Sequence, residues 1–534
     1  MSTASGTFVE EVPYESAAAA DWARSGYTGD GRCFVWLEDR PEGGRRLVVN
    51  GTPGPPFDRL ESVASFEVIG EEEPEPFRLG DCLYTGDDQS RFAYVARRGD
   101  RFFVGTGLEE GPEFERILSS PTFSPDCRQM AYAALVDGVE RLVLDGRVVT
   151  EFQGTGDVIF SPKGDRVAYT AFRGERPDVF VVLDGVAGPA FDLCPIMVFS
   201  PDGTRFAYVG RRYSGPTEDL SAMTEVLVLD GEPGPEFSEI SGGMYGSHIV
   251  DLRFTPGGSG EAPELDRVVF SPDGRRIAYI ARRGDVSTLV LDGTLGPFSV
   301  LVAAPVFSPD SKRVAYVIRR GRAEKYEVVV DGESGPEADE LYGSCRFSPD
   351  SRRVAHLAGR LPGWRHPLMA PKGFLVLDGR PGPEFDEVAG PPIFGRDGGH
   401  VAFLGRRGKK WFTVQGDDPI MPAFDWVNGP FLSADRHRAA FVVGSGAGQA
   451  LLVVGDPGPG PECEAILGAS RFFTPDGRHV AYAGKLEGGW RPFVDHEMGP
   501  SFETLGAPAL SAEDRVVFFG TRGDTVYRIT YAFD

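Results

Sequence analysis

The chain has 534 residues, 41% of them hydrophobic and 25% charged, a globular rather than a disordered balance. That length exceeds the roughly 250–300 residues over which one hydrophobic core can grow, so the chain splits into domains or repeats a small unit. A formal net charge of −24 and a pI near 4.8 argue against nucleic acid and anionic membrane surfaces as partners.

The chain opens with "MSTASGTFVEEVPYES", which carries neither a basic region nor an apolar run, so no signal peptide is expected. No stretch reaches the ~18 apolar residues of a membrane span. The six cysteines are scattered, without a C-x-x-C pair or a histidine at ligand spacing, so neither a zinc site nor a disulfide framework is expected. A reducing cytoplasm is the expected location.

From Gly26 onward one phrase recurs. Clear copies begin at Thr122, Ile159, Val198, Val269, Val306 and Arg346 ("TFSPDCRQMAYAA", "IFSPKGDRVAYTA", "VFSPDGTRFAYVG" and so on). Weaker copies begin at Gly26, Leu83, Ile393, Phe431, Phe472 and Ala509, making twelve. The step is about forty residues, as from Phe270 to Phe307 to Phe347. Each unit starts with a short apolar run ending in Phe-Ser-Pro-Asp. The Pro-Asp-Gly after it is turn chemistry: proline presets φ, aspartate bonds its own backbone, and glycine accepts the open dihedral.

Two apolar runs follow, such as "RIAYIA" (276–281) and "STLVLDG" (287–293). Neither alternates, so both faces of each strand are expected to be covered. A fourth run after a Gly-Pro turn, such as "PEFSEI" (235–240) or "PEFDEV" (383–388), carries acids and reads as an outer edge. Four-stranded antiparallel sheets at this spacing are blades of an all-β propeller.

The last unit, 507–534, supplies three strands only. The stretch "TFVEEV" (7–12) is expected to complete it, so that one single twelve-bladed propeller spans residues 1–534. Two tandem propellers parted near 241–267 are the alternative. The short connections between third and fourth strands, as in 228–237 and 329–338, favour the single ring.

The Ser-Pro-Asp-Gly turn and the apolar-Ala-Tyr strand after it (Ser271, Pro272, Asp273, Gly274, Ile277, Ala278, Tyr279) resemble the TolB-type, WD-repeat-like β-propeller repeat of bacterial proteins. The resemblance runs from about Gly26 to the end and implies the fold. It departs from the family where "VLDG" and Gly-Pro replace the usual Met-Asp-Ala turn.

No G-x-S-x-G elbow, P-loop or calcium loop is present, and no cofactor is expected. His366, in "GRLPGWRHPLMAPKG", and His496, in "VDHE", break the repeat most and are candidates for a site. "RGD" at 98–100, 283–285 and 522–524 is read as hairpin chemistry rather than as an adhesion signal.

Arginine pairs end the second strand of many units. Arg98, Arg212, Arg283, Arg320 and Arg407 are therefore the candidate binding residues. They define a basic end for an acidic protein partner, unless neighbouring acids take them up. The Asp-bearing turns lie at the other, acidic end. Loops at 61–78, 213–223, 241–267 and 360–372 are further candidate surfaces. The expectation is a non-catalytic scaffold. The alternative is a lyase- or hydrolase-type enzyme with its site in the central channel. The residues name no partner and fix no oligomeric state.

Overall fold

The computed structural model describes residues 6–15, 25–27, 32–61, 84–85, 91–149, 157–173, 178–214, 223–240, 268–284, 286–297, 300–320, 325–361, 372–395, 398–415, 418–433, 438–446, 448–453, 459–467, 473–474, 476–495, 497–510 and 515–533. These residues form twelve antiparallel sheets and no helix, and the chain is a twelve-bladed β-propeller. We number the blades in chain order. Blade 1 spans Ser25–Tyr27 to Thr52–Phe57, and blade 12 ends the chain with Arg515–Arg522 and Thr525–Phe533.

The expected completion of the last blade is present. Strand Gly6–Glu15 pairs antiparallel with Thr525–Phe533, setting Phe8 opposite Tyr531 and Glu10 opposite Ile529. The Phe8 ring meets Tyr531 edge-on at 4.8 Å.

The backbone falls into two compact units. One is Met1–Cys194 with Leu467–Asp534, which holds blades 1–4, 11 and 12. The other is Pro195–Ile466, which holds blades 5–10. Within each unit every blade shares a core with the next. The second strand of blade 2 shows why its sequence does not alternate. Phe92, Tyr94 and Ala96 pack on Val35 and Phe57 of blade 1, while Ala93 and Val95 pack on Phe123 and Tyr132 of blade 3. The strand keeps its period of two, but both faces are interior. Phe34 and Trp36 of blade 1 likewise pack on Val517 and Phe519 of blade 12.

The turns are built as their chemistry requires. In blade 6 the Ser271 hydroxyl, fully buried, donates to Asp273 Oδ1 at 2.6 Å and accepts the Arg276 N–H at 2.9 Å. The Asp-Gly turn between third and fourth strands has both residues at positive φ, as at Asp292 (51°) and Gly293 (79°), the dihedrals of a type I′ hairpin.

One boundary differs from expectation. The fourth strand of blade 5 stops at Phe237, and Glu239 pairs with Arg282 of blade 6. The same holds at Glu387–Phe394, which is the first strand of blade 9 and not an outer strand of blade 8. The acids of "SEI" and "DEV" therefore face the next blade, where arginines wait. The outer edges are guarded by Gly-Pro, since proline offers no N–H to a neighbour.

The first strand is irregular in the middle. Its register shifts between Tyr342 and Arg346, Ala389 and Ile393, and Asn428 and Phe431. In blade 2 it is split into Arg59–Glu61 and Tyr84–Thr85. The candidate loops at 61–78, 213–223, 241–267 and 360–372 lie, apart from their ends, outside the described residues, as do His366 and His496.

Candidate binding surface at the hairpin ends

Every expected arginine sits where the second strand turns into the third. The "RGD" stretches are such hairpins: Arg98 pairs with Arg101, Arg283 with Val286, and Arg522 with Thr525. Gly99, Gly284 and Gly523 take φ near 60°, the left-handed value the turn demands.

These hairpins are capped by acids that sit just before the first strand of the same blade. The Gly99 N–H donates to Asp58 at 2.7 Å, Gly408 to Asp386 at 2.7 Å and Gly523 to Glu503 at 3.1 Å. Asp386 also receives Lys372, and Asp425 receives Lys410 at 2.6 Å. The Gly408 amide, then Lys372, hold Asp386 below the usual carboxylate range. Lys410, then the Gly446 amide, do the same for Asp425. These acids belong to the frame.

The candidate arginines divide into two kinds. Arg98 is bonded by Glu110 and approached by Glu113 of its own outer strand, and it donates to the Pro56 carbonyl of blade 1. The Glu110 hydrogen bond raises its pKa further above the ordinary arginine value. Arg212 lies 3.7 Å from Glu236. The side chains of Arg283 and Arg407 have neither a carboxylate nor a hydrogen-bond partner among the described residues. Both are exposed. Their guanidinium groups lie over Phe237 and Phe385, at 5.0 and 4.7 Å from the ring centroids. The Arg320 side chain lies outside the described residues.

Phe237 and Phe385 were not singled out in the sequence. Phe237 ends the outer strand of blade 5, and Phe385 bridges Gly373 beyond the short outer strand Arg380–Pro381 of blade 8; each packs into the next blade, touching Tyr279 and Phe403 edge-on at 6.4 and 5.6 Å. Their signal was there: a phenylalanine recurs just after Gly-Pro in most units (Phe57, Phe114, Phe191, Phe237, Phe385). A cation over an aromatic ring at this distance is worth about 0.5–1 kcal/mol at an exposed site.

At the opposite strand ends the aspartates are not left as a bare acidic surface. Arg166, Arg205, Arg276, Arg313 and Arg353 each bond the Asp of their own blade's Asp-Gly turn, at 2.7–2.9 Å. From blade 5 to blade 9 the same arginines reach onward. Arg276 donates to the Lys312 carbonyl at 2.9 Å, and Arg313 to the Arg352 carbonyl at 2.9 Å. Each also stacks over the next blade's phenylalanine, Arg276 on Phe307 and Arg313 on Phe347, both at 5.4 Å.

No group of three or more metal-ligating side chains is present among the described residues. No helix there is long and apolar enough to cross a membrane. His356 replaces the repeat's tyrosine and is buried, and desolvation pushes its pKa down to about 4.

No family model matches the chain, and no curated protein matches it. Similar solved structures include a eukaryotic initiation factor, at 12% identity and TM-score 0.33, covering 69% of this chain and 89% of that one. The β-propeller domain of the Trilobed protease from Pyrococcus furiosus is similar at 15% identity and TM-score 0.26, covering 50% and 95%. TolB from Acinetobacter baumannii is similar at 18% identity and TM-score 0.20, covering 56% and 77%.

Proposed function

We propose that the chain is a non-catalytic scaffold built from TolB-type repeats, and that it binds an acidic protein partner through the arginines at its hairpin ends. The observation that supports this reading is the contrast among those arginines. Arg98 and Arg212 have glutamates of their own outer strands. Arg283 and Arg407 are exposed, stacked on phenylalanine and without a carboxylate among the described residues. A guanidinium lying over a ring, with no carboxylate of its own, keeps its N–H donors available for a partner's carboxylate. Arg320 joins the set by its equivalent place in blade 7. A single ring of twelve blades belongs to the same proposal and rests on the short connections between third and fourth strands.

The test is a pull-down from the native cell with the full chain as bait. A partner should be retained by the wild type and released by roughly 0.5 M salt. Its affinity for the Arg283→Glu/Arg407→Glu double variant should fall roughly tenfold or more. Equal retention of the same partner by the wild type and the double variant would overturn the reading.

A further inference from the structure

In blades 6 and 9 the hairpin end of the second strand carries an arginine held by a glutamate directly opposite. Glu239 bonds Arg282 at 3.4 Å, and Glu387 bonds Arg406 at 2.8 Å. Blade 10 replaces both partners. Trp426 begins its first strand, Trp426–Leu432, and lies opposite Gly444 in its second, Ala439–Ser445. No positive φ explains a glycine at 444, so it is there for space. A Cβ at Gly444 would collide with Trp426 Cε2, Nε1 and Cζ2, so the indole lies directly against the strand.

This seat does not bury the ring. Trp426 is 36% exposed, the one exposed aromatic side chain among the described residues, and its Nε1–H has no acceptor there. The preceding blade brings charge to its side. Lys410 of blade 9 bonds Asp425, the residue before Trp426, at 2.6 Å. That bond sets Trp426 beside the hairpin that carries Arg407 and Lys409. Both are exposed, and neither side chain has a carboxylate among the described residues. The other two cations of the hairpin, Arg406 and Lys410, are taken up by Glu387 and Asp425. Two uncompensated cations therefore stand next to an exposed indole.

We infer that Trp426, with Arg407 and Lys409, anchors an acidic protein segment that carries an aromatic residue among its carboxylates. The carboxylates meet the two cations, the aromatic ring packs on the indole, and the indole N–H takes an acceptor from the same segment. The inference rests on the acidic-partner reading and narrows it to one joint, between blades 9 and 10. Blade 6 has no such ring at this place, where Glu239 and Arg282 hold each other, so Arg283 supplies charge alone.

The probes are two fluorescein-labelled peptides of equal charge, EEEFEEE and EEESEEE, titrated into the full chain at low salt with anisotropy as the readout. The phenylalanine peptide should bind roughly tenfold more tightly. Trp426→Gln, which keeps the outline of the glutamate found there in blades 6 and 9, should bind both peptides as the wild type binds EEESEEE. Lys409→Glu should weaken both peptides and leave their ratio unchanged. In the chain labelled with 5-fluorotryptophan, EEEFEEE should shift the fluorine signal that Trp426→Gln removes. Equal binding of the two peptides by the wild type, or failure of both to bind, would overturn the inference. So would a ratio that survives Trp426→Gln. Equal peptide binding, alongside a native partner still lost from the Arg283→Glu/Arg407→Glu variant, would overturn this inference alone and leave the acidic-partner reading standing.

Discussion

Ser271, Asp273 and Arg276 show how little of the repeated phrase is spare. The buried serine hydroxyl satisfies the aspartate and accepts a backbone N–H, and the arginine locks the next turn. Hydrogen bonds from Ser271, Ser308 and Ser348 hold Asp273, Asp310 and Asp350 below the usual carboxylate range. A carboxylate with a depressed pKa stabilises the fold above its ordinary pKa, and that contribution is lost as pH falls through the folded value.

His356 acts earlier on the same descent. Its folded pKa of about 4 lies below the ordinary value near 6.5, so the unfolded chain takes up a proton that the folded chain refuses. Stability is full above about pH 6.5 and declines toward pH 4, by on the order of 3 kcal/mol at most. His356→Tyr, which restores the repeat's residue, should remove that slope in chemical denaturation at pH 7 and pH 4.5. An unchanged slope would place the titrating group elsewhere.

At the level of strands and turns, the parts legible in the sequence were those fixed by neighbours along the chain. The Ser-Pro-Asp-Gly turn and the paired second and third strands are local, and the structure has them where they were read. The end of the outer strand was not legible. Phe237 and Glu239 are almost adjacent, yet they pair with different sheets, because the partner of Glu239 is Arg282 in the next blade. The candidate arginines were legible as positions. Which of them meet acids was not, since Arg98 finds Glu110 on its own outer strand whereas blade 6 offers Thr294–Leu295 there.

The joint between blades gives a direct test of the clamp. Arg313 bonds Asp331 at 2.7 Å, donates to two carbonyls of blade 8 and covers Phe347. Arg313→Ala should cost about 1–3 kcal/mol in urea unfolding. Arg352→Ala, whose side chain is 85% exposed, should cost well under 1 kcal/mol. Equal costs would mean that the clamp contributes nothing of its own.

For the whole molecule, the principle is that each blade is finished by something outside itself. Second strands bury both faces only because neighbours cover them, and arginines such as Arg276 and Arg313 reach carbonyls of the next blade. The last blade takes its outer strand from the other end of the chain, where Phe8 enters the core of Tyr531, Ile529 and Ala483. That dependence makes the N-terminal strand a structural part of the propeller. It can be tested by cutting the connection, with a protease site placed at residues 17–20. After cleavage under native conditions the N-terminal fragment should co-elute with the remainder on gel filtration and separate only in denaturant. A fragment that elutes alone while the remainder stays folded would contradict the account.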